Sequence, residues 1–95
     1  PGAGVIYAAS KGAVNSLTIG LSQEVASQGI RVNAVAPGLT DTDMPEANKL
    51  ANGKAMIPMG RIGQPEEIAT AILWLLSNEA AYVAGANIRI AGGRL

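Results

Sequence analysis

The chain contains no cysteine and no histidine. A disulfide is therefore excluded within it, as is a zinc site built on thiolate or imidazole ligands. The same two absences remove the Ser-His-Asp triad, the Cys-His pair and the HExxH helix, so no metal site is expected. Phenylalanine is missing too, and the aromatic complement is one Trp and two Tyr. Leu, Ile, Val and Ala must then fill any core, which the 48% apolar content allows. Seven basic residues balance seven acidic ones without clustering, which argues against nucleic acid or an anionic membrane as the main partner. No apolar run approaches the roughly 20 residues of a membrane span. The opening Pro-Gly-Ala-Gly lacks the charged end and apolar stretch of a signal peptide. At 95 residues the chain holds one small domain and no more. Tyr, Lys, Asp, Glu and hydroxyls are what remains for chemistry.

The chain has no internal repeat and no low-complexity tract. From about Tyr7 to Gln28 the pattern is helical, with Val14, Leu17, Leu21 and Val25 forming one apolar stripe. Ala and Gly crowd its flanks, so another helix could approach closely. Gly29 sits where a glycine commonly ends a helix. "RVNAVA", residues 31–36, reads as a short strand buried on both faces, as in a parallel sheet. Pro37-Gly38 stops it. Residues 39–64 form a long irregular region with a short helix expected at 45–50. Pro65 opens the next helix, with Glu66 and Glu67 in its first turn favouring the helix dipole. Ile68, Ile72, Leu75 and Leu76 supply its buried face, with Trp74 at the edge. "ANIRIA", residues 86–91, alternates like a half-covered edge strand, and Gly92-Gly93 ends it. The last three elements make one βαβ crossover, expected to be right-handed. Two strands do not make a stable doubly wound sheet, so the pattern reads as the back end of a larger α/β domain.

In "YAASKG", residues 7–12, Tyr7 and Lys11 stand four apart. On a helix that spacing puts both on one face, with Cβ atoms roughly 5–6 Å apart. Ala8, Ala9 and Ser10 leave room for a ligand over that face. An ammonium beside a phenol favours the phenolate. The plain alternative is a cation next to an aromatic on a solvated helix turn.

Tyr-x-x-x-Lys in "YAASKG", then "RVNAVAPG", "TDTDM", "GRIGQPEEIATAILWLLS" and "YVAGANIRIAGG", in this order, resemble the short-chain dehydrogenase/reductase family over nearly the whole chain. The resemblance implies the C-terminal portion of a Rossmann-type doubly wound parallel sheet: its last two strands and flanking helices, with the N-terminal part missing. Residues 1–95 would then be a C-terminal fragment of a single NAD(P)-binding domain, inactive alone. The resemblance further implies an oxidoreductase that moves hydride between NAD or NADP and the carbon of an alcohol or ketone. Tyr7 would be the general acid/base, and Lys11 would favour its phenolate and bond the nicotinamide ribose. Pro37 and Gly38 would shape the turn under the nicotinamide, the Thr40 backbone would meet the carboxamide, and Thr42 would touch the carboxamide or pyrophosphate. For Pro37-Gly38 the alternative is an ordinary strand-ending turn, and for Thr42 a helix N-cap. Asn33 matches a family position that is more structural than catalytic. A cytoplasmic homotetramer with a small-molecule alcohol or carbonyl substrate is expected, paired through helix 7–28 and the terminal strand. The rival reading is a non-catalytic assembly module driven by that same helix.

The sequence departs from the family pattern at Thr40, where the position is often apolar, and at Ala91, where Asp commonly precedes the final Gly-Gly. The family's catalytic serine lies upstream of the tyrosine, and the Gly-rich phosphate loop lies on the first strand. Neither is present in these residues, which sets the expectation of N-terminal truncation.

Overall fold

A computed structural model describes residues 2–40 and 46–94. The elements run α1 (Gly2–Val25), β1 (Ala34–Pro37), α2 (Glu46–Met56), α3 (Pro65–Leu76) and β2 (Asn87–Ile90), with short 3-10 turns at Ala26–Gln28 and Asn78–Ala80. β1 and β2 form a two-stranded sheet. Ala34 N–H donates to the Ala86 carbonyl at 2.8 Å and Gly38 N–H to that of Ile90 at 2.9 Å. Donor and acceptor advance together along the chain, so the strands are parallel, as a crossover connection requires. The chain divides into two compact units, Pro1–Ala34 with Ala81–Ile88 and Val35–Ala80 with Arg89–Leu95.

In the first unit, α1 begins five residues earlier than the periodicity suggests and ends as expected. Gly29 takes φ 77 and its N–H bonds the Ala26 carbonyl, closing the terminal turn. The buried line of α1 is not the apolar stripe. Thr18 and Ser22 are buried, whereas Val14, Leu17 and Leu21 are exposed. The Thr18 hydroxyl donates to the Val14 carbonyl at 2.8 Å, so its polarity is met within the helix. Gly85, at φ +81, lies against Ser22, and a Cβ there would stand 3.3 Å from the serine Oγ.

The strand expected at 31–36 starts at Ala34, because residues 31–33 have other partners. Val32 accepts from Gly85 N–H. The Asn33 amide donates to the Val83 carbonyl at 2.9 Å and its Oδ1 accepts from Ala86 N–H at 3.0 Å. Arg31 donates to the same Val83 carbonyl at 3.3 Å. Asn33 thus joins the start of β1 to the 83–86 loop.

The second unit packs around Ile57, Ile62, Leu75 and Ala80, all buried. α2 runs six residues beyond the helix expected at 45–50, straight through Asn52-Gly53. Gly53 is buried there by the close approach of the Arg61 backbone. α3 starts at Pro65 as expected, but its inward side is Ile68, Ala71 and Leu75. Leu76 is 73% exposed, since it lies about 100° around the helix from Leu75. β2 alternates exposed Asn87 and Arg89 with half-buried Ile88 and Ile90, the pattern expected of a half-covered strand.

Candidate active site

Tyr7 and Lys11 lie on α1, and the helical backbone is continuous through both. Positions 7 and 11 are therefore one turn apart along a single face. Lys11 is half-buried, and it shares a helical line with Thr18, Ser22 and half-buried Val25. That line is the inward one of the first unit.

Pro37, Gly38 and Thr40 belong to the second unit, at the carboxyl end of β1. Pro37 is the exposed last residue of the strand. Gly38 has no positive φ. Its need for glycine comes from Ala91: a Cβ at Gly38 would stand 2.7 Å from the Ala91 Cβ. Beyond it, the Leu39 carbonyl accepts from Gly63 N–H at 2.9 Å, and Thr40 pairs with Gly63 in a parallel bridge. The strip from Gly38 to Thr40 is thus held from both sides, by β2 and by the segment entering α3. Thr42 lies outside the described residues. Positions 7 and 11 share one face of α1, and Pro37, Gly38 and Thr40 follow one another at the end of β1, each set within its own unit.

A cluster outside the residues expected from the sequence surrounds Gly63. Arg61 meets Glu67 with both guanidinium prongs, Nη1 to Oε1 at 2.7 Å and Nη2 to Oε2 at 2.8 Å. Glu67 Oε1 also accepts from Gln64 N–H at 2.9 Å, and Glu67 N–H returns to the Gln64 carbonyl at 2.9 Å. The Arg61 hydrogen bond, backed by that of Gln64, holds the Glu67 carboxyl down at about 2. The pairing raises Arg61 in turn. The signal was legible as half of a capping box: a glutamate at the third helical position, behind an extended residue that precedes a first-turn proline.

A cavity of about 110 Å³ lies beside this cluster, lined by Leu39, Met59, Gly63, Ile68, Ile90 and Gly92. It is below the range of a substrate or dinucleotide site, about 300–1,000 Å³. A larger recess of about 420 Å³ borders α2 at Glu46 and Lys49 and the loop at Arg61 and Gln64. Both of its cations are ion-paired, Lys49 with Glu46 at 3.3 Å and Arg61 with Glu67. Among the described residues, no helix is long and apolar enough to cross a membrane.

A family model described as enoyl-(acyl carrier protein) reductase matches residues 1–94. The chain belongs to the short-chain dehydrogenase/reductase family. Among its relatives, the "uncharacterized oxidoreductase YgfF" of Escherichia coli (strain K12) is 55% identical over 98 residues, covering 99% of this chain and 40% of that protein. A 3alpha-hydroxysteroid dehydrogenase of Mediterraneibacter gnavus is 52% identical, covering 90% of this chain and 36% of that one. Among solved structures, a 4-hydroxyisoleucine dehydrogenase complexed with NADH superposes with a TM-score of 0.81 at 35% identity, over 92% of this chain and 38% of that one. The chain therefore spans about two fifths of the length of these relatives. Its parallel strand pair and helices are the corresponding portion of a Rossmann-type sheet.

Proposed function

We propose that this chain carries the proton-transfer and nicotinamide-side part of an NAD(P)-dependent oxidoreductase acting on an alcohol or ketone. The observation that carries the reading is the unbroken helix under Tyr7 and Lys11, with Lys11 on its inward line. Tyr7 passes a proton to or from the substrate oxygen, while the ammonium of Lys11 favours the phenolate and bonds ribose hydroxyls. A unit charge at ~4 Å and an effective dielectric of ~20 is worth on the order of 4 kcal/mol. At about 1.36 kcal/mol per decade, that is roughly a thousandfold in phenolate population.

Taken unit by unit, the donor types are ones that the nicotinamide half of the cofactor uses. Lys11 offers an ammonium to hydroxyls, and the Gly38–Thr40 strip offers peptide groups at the carboxyl end of a parallel strand, the usual ligand side of such sheets. The sequence holds no G-x-G-x-x-G turn for the pyrophosphate. The bound nicotinamide would supply the hydride acceptor or donor. NADH is named in the solved relative, and the reading covers NAD or NADP alike.

Activity belongs, in this proposal, to a longer domain of which these residues are a part, assembled as a homotetramer. The exposed Val14, Leu17 and Leu21 on α1, with Leu73 and Leu76 on α3, support assembly. They also accommodate the rival reading of α1 as an assembly element, since one helix can serve both. The deciding experiment is turnover of a panel of alcohols and ketones by the full-length protein, wild type against Tyr7→Phe, with dinucleotide binding followed by fluorescence. The proposal expects binding in both and turnover only in the wild type. Equal turnover in the two would sink it, and a monomer by light scattering at micromolar concentration would sink the assembly part.

A further inference from the structure

The loop between α2 and α3 has no regular structure, yet it is tied along its length. Met59 N–H donates to the Gly92 carbonyl at 3.0 Å, Gly60 N–H to that of Ile57 at 2.8 Å, and Gly63 N–H to that of Leu39 at 2.9 Å. Gly63 is the residue that pairs with Thr40. It is flanked on both sides by groups bound to one carboxylate: Arg61 before it and the Gln64 N–H after it both meet Glu67. Glu67 stands in the first turn of the 12-residue helix α3, so its backbone is fixed.

We infer that Arg61 and Glu67 are positioning residues that hold Gly63 in register with Leu39 and Thr40, and so set how well that strip binds the nicotinamide end of the cofactor. This rests on the proposed reading of the Thr40 backbone as a cofactor contact. Exposed ion pairs in general contribute little, because two long side chains must be ordered in high dielectric. This pair differs in two respects. It is two-pronged, which fixes orientation as well as distance. Its carboxylate is already ordered by the helix cap, so most of the ordering falls on Arg61 alone. A glutamate that only capped α3 would have no need of the two-pronged arginine. Holding position is the effect that this geometry adds.

The test uses the full-length protein with Arg61→Met and Arg61→Lys. Arg61 is about half exposed and its removal leaves the bond from Gln64 to Glu67, so the cap survives. Two quantities are measured: amide hydrogen exchange at Gly63, and KM and kcat for the dinucleotide. In Arg61→Met, protection of Gly63 should fall about tenfold while that of Gly38, bonded to Ile90, stays put. The dinucleotide KM should rise roughly three- to tenfold with kcat within about twofold, as expected when binding shared by ground and transition states is lost. Arg61→Lys keeps the charge without the fork and should lie between, and it serves alone if Arg61→Met does not fold. Unchanged protection at Gly63 would overturn the clamp whatever the kinetics. Lost protection with an unmoved KM would overturn its link to the cofactor, while the reading of Tyr7 and Lys11 fails separately, through turnover by Tyr7→Phe.

Discussion

Replacing Gly53 by alanine should destabilise the protein, although it puts a better helix former into the interior of α2. In an unobstructed helix the exchange favours alanine by about 0.5–1 kcal/mol. Gly53 is obstructed. An added Cβ would stand 2.8 Å from Arg61 Cα and 3.2 Å from both the Arg61 carbonyl carbon and the Ile62 nitrogen. Carbon atoms in good contact sit about 3.5–4.0 Å apart, so the overlap with the 2.8 Å neighbour is at least about 0.7 Å. The obstructing atoms are backbone, and no side-chain rotation relieves them. Either α2 or residues 61–62 must shift, at the about 1–3 kcal/mol typical of overpacking.

Set against the helix gain, a net loss of about 1–2 kcal/mol is expected. In a domain of 150–250 residues each kcal/mol moves the midpoint by about 2–4 °C, so the full-length variant should melt about 2–8 °C lower. Thermal denaturation followed by circular dichroism reads this directly. The displaced residues include Arg61, so exchange at the Gly63 amide should quicken as well. A midpoint that rises on Gly53→Ala would refute the close approach of α2 to the 61–62 backbone, and with it the anchored loop.

Four further outcomes are expected. If the longer protein is the proposed oxidoreductase, Lys11→Met should move the alkaline-rising limb of its alcohol oxidation upward by several pH units and weaken dinucleotide binding; an unmoved limb would overturn the proposed Tyr7–Lys11 pairing. Glu67, held from its ordinary 4.5 to about 2 by Arg61 and Gln64, has a folded value below its unfolded one. Its contribution is therefore complete above about 4.5 and disappears as pH falls through about 2. The stability difference between wild type and Glu67→Gln should be level near neutrality and shrink across that window in acid titrations, and a difference that stayed constant to pH 2 would contradict this cause. Asn33→Ala removes the acceptor of the Ala86 N–H and one of the donors to the Val83 carbonyl, Arg31 remaining, and denaturant melts should show a loss of about 1–3 kcal/mol. The 95-residue chain by itself should bind neither NAD nor NADP appreciably, lacking the pyrophosphate turn; micromolar binding by calorimetry would overturn that.

The helices and strands were legible wherever local chemistry decides them. Gly29 closes the first helix, Pro65 opens the third and Ile88 and Ile90 alternate inward, because each depends on its own backbone or its immediate neighbours. Boundaries set by distant partners were not. β1 starts late because Val32 and Asn33 bond residues 83–86, some fifty positions away in sequence. α2 continues through Gly53, where the Arg61 backbone occupies the space a side chain would need, and nothing near Gly53 in the sequence announces that. Gly38 was read through the turn it makes, whereas its close neighbour is Ala91 at the end of the other strand.

The site divides along the same line. That positions 7 and 11 share a face follows from spacing on one helix, so it is visible in six letters. The Arg61–Glu67 pair spans a loop, a proline and a helix start, and only the glutamate half leaves a local signature. The inward face of α1 was hidden for a different reason. Hydrophobicity points to Val14, Leu17 and Leu21, at 52%, 61% and 40% exposed, while buried Thr18 and Ser22 are polar. Small hydroxyl residues suit that face because they can satisfy their polarity locally, as Thr18 does at the Val14 carbonyl, and still let Gly85 approach. A helix with one line of small polar residues against its own chain and a second, apolar line left open is built for two contacts. The first is made within these residues. The second accounts for why an apolar stripe can be read so plainly in the sequence and yet lie uncovered here, and it is the surface that the proposed longer domain and its assembly would occupy.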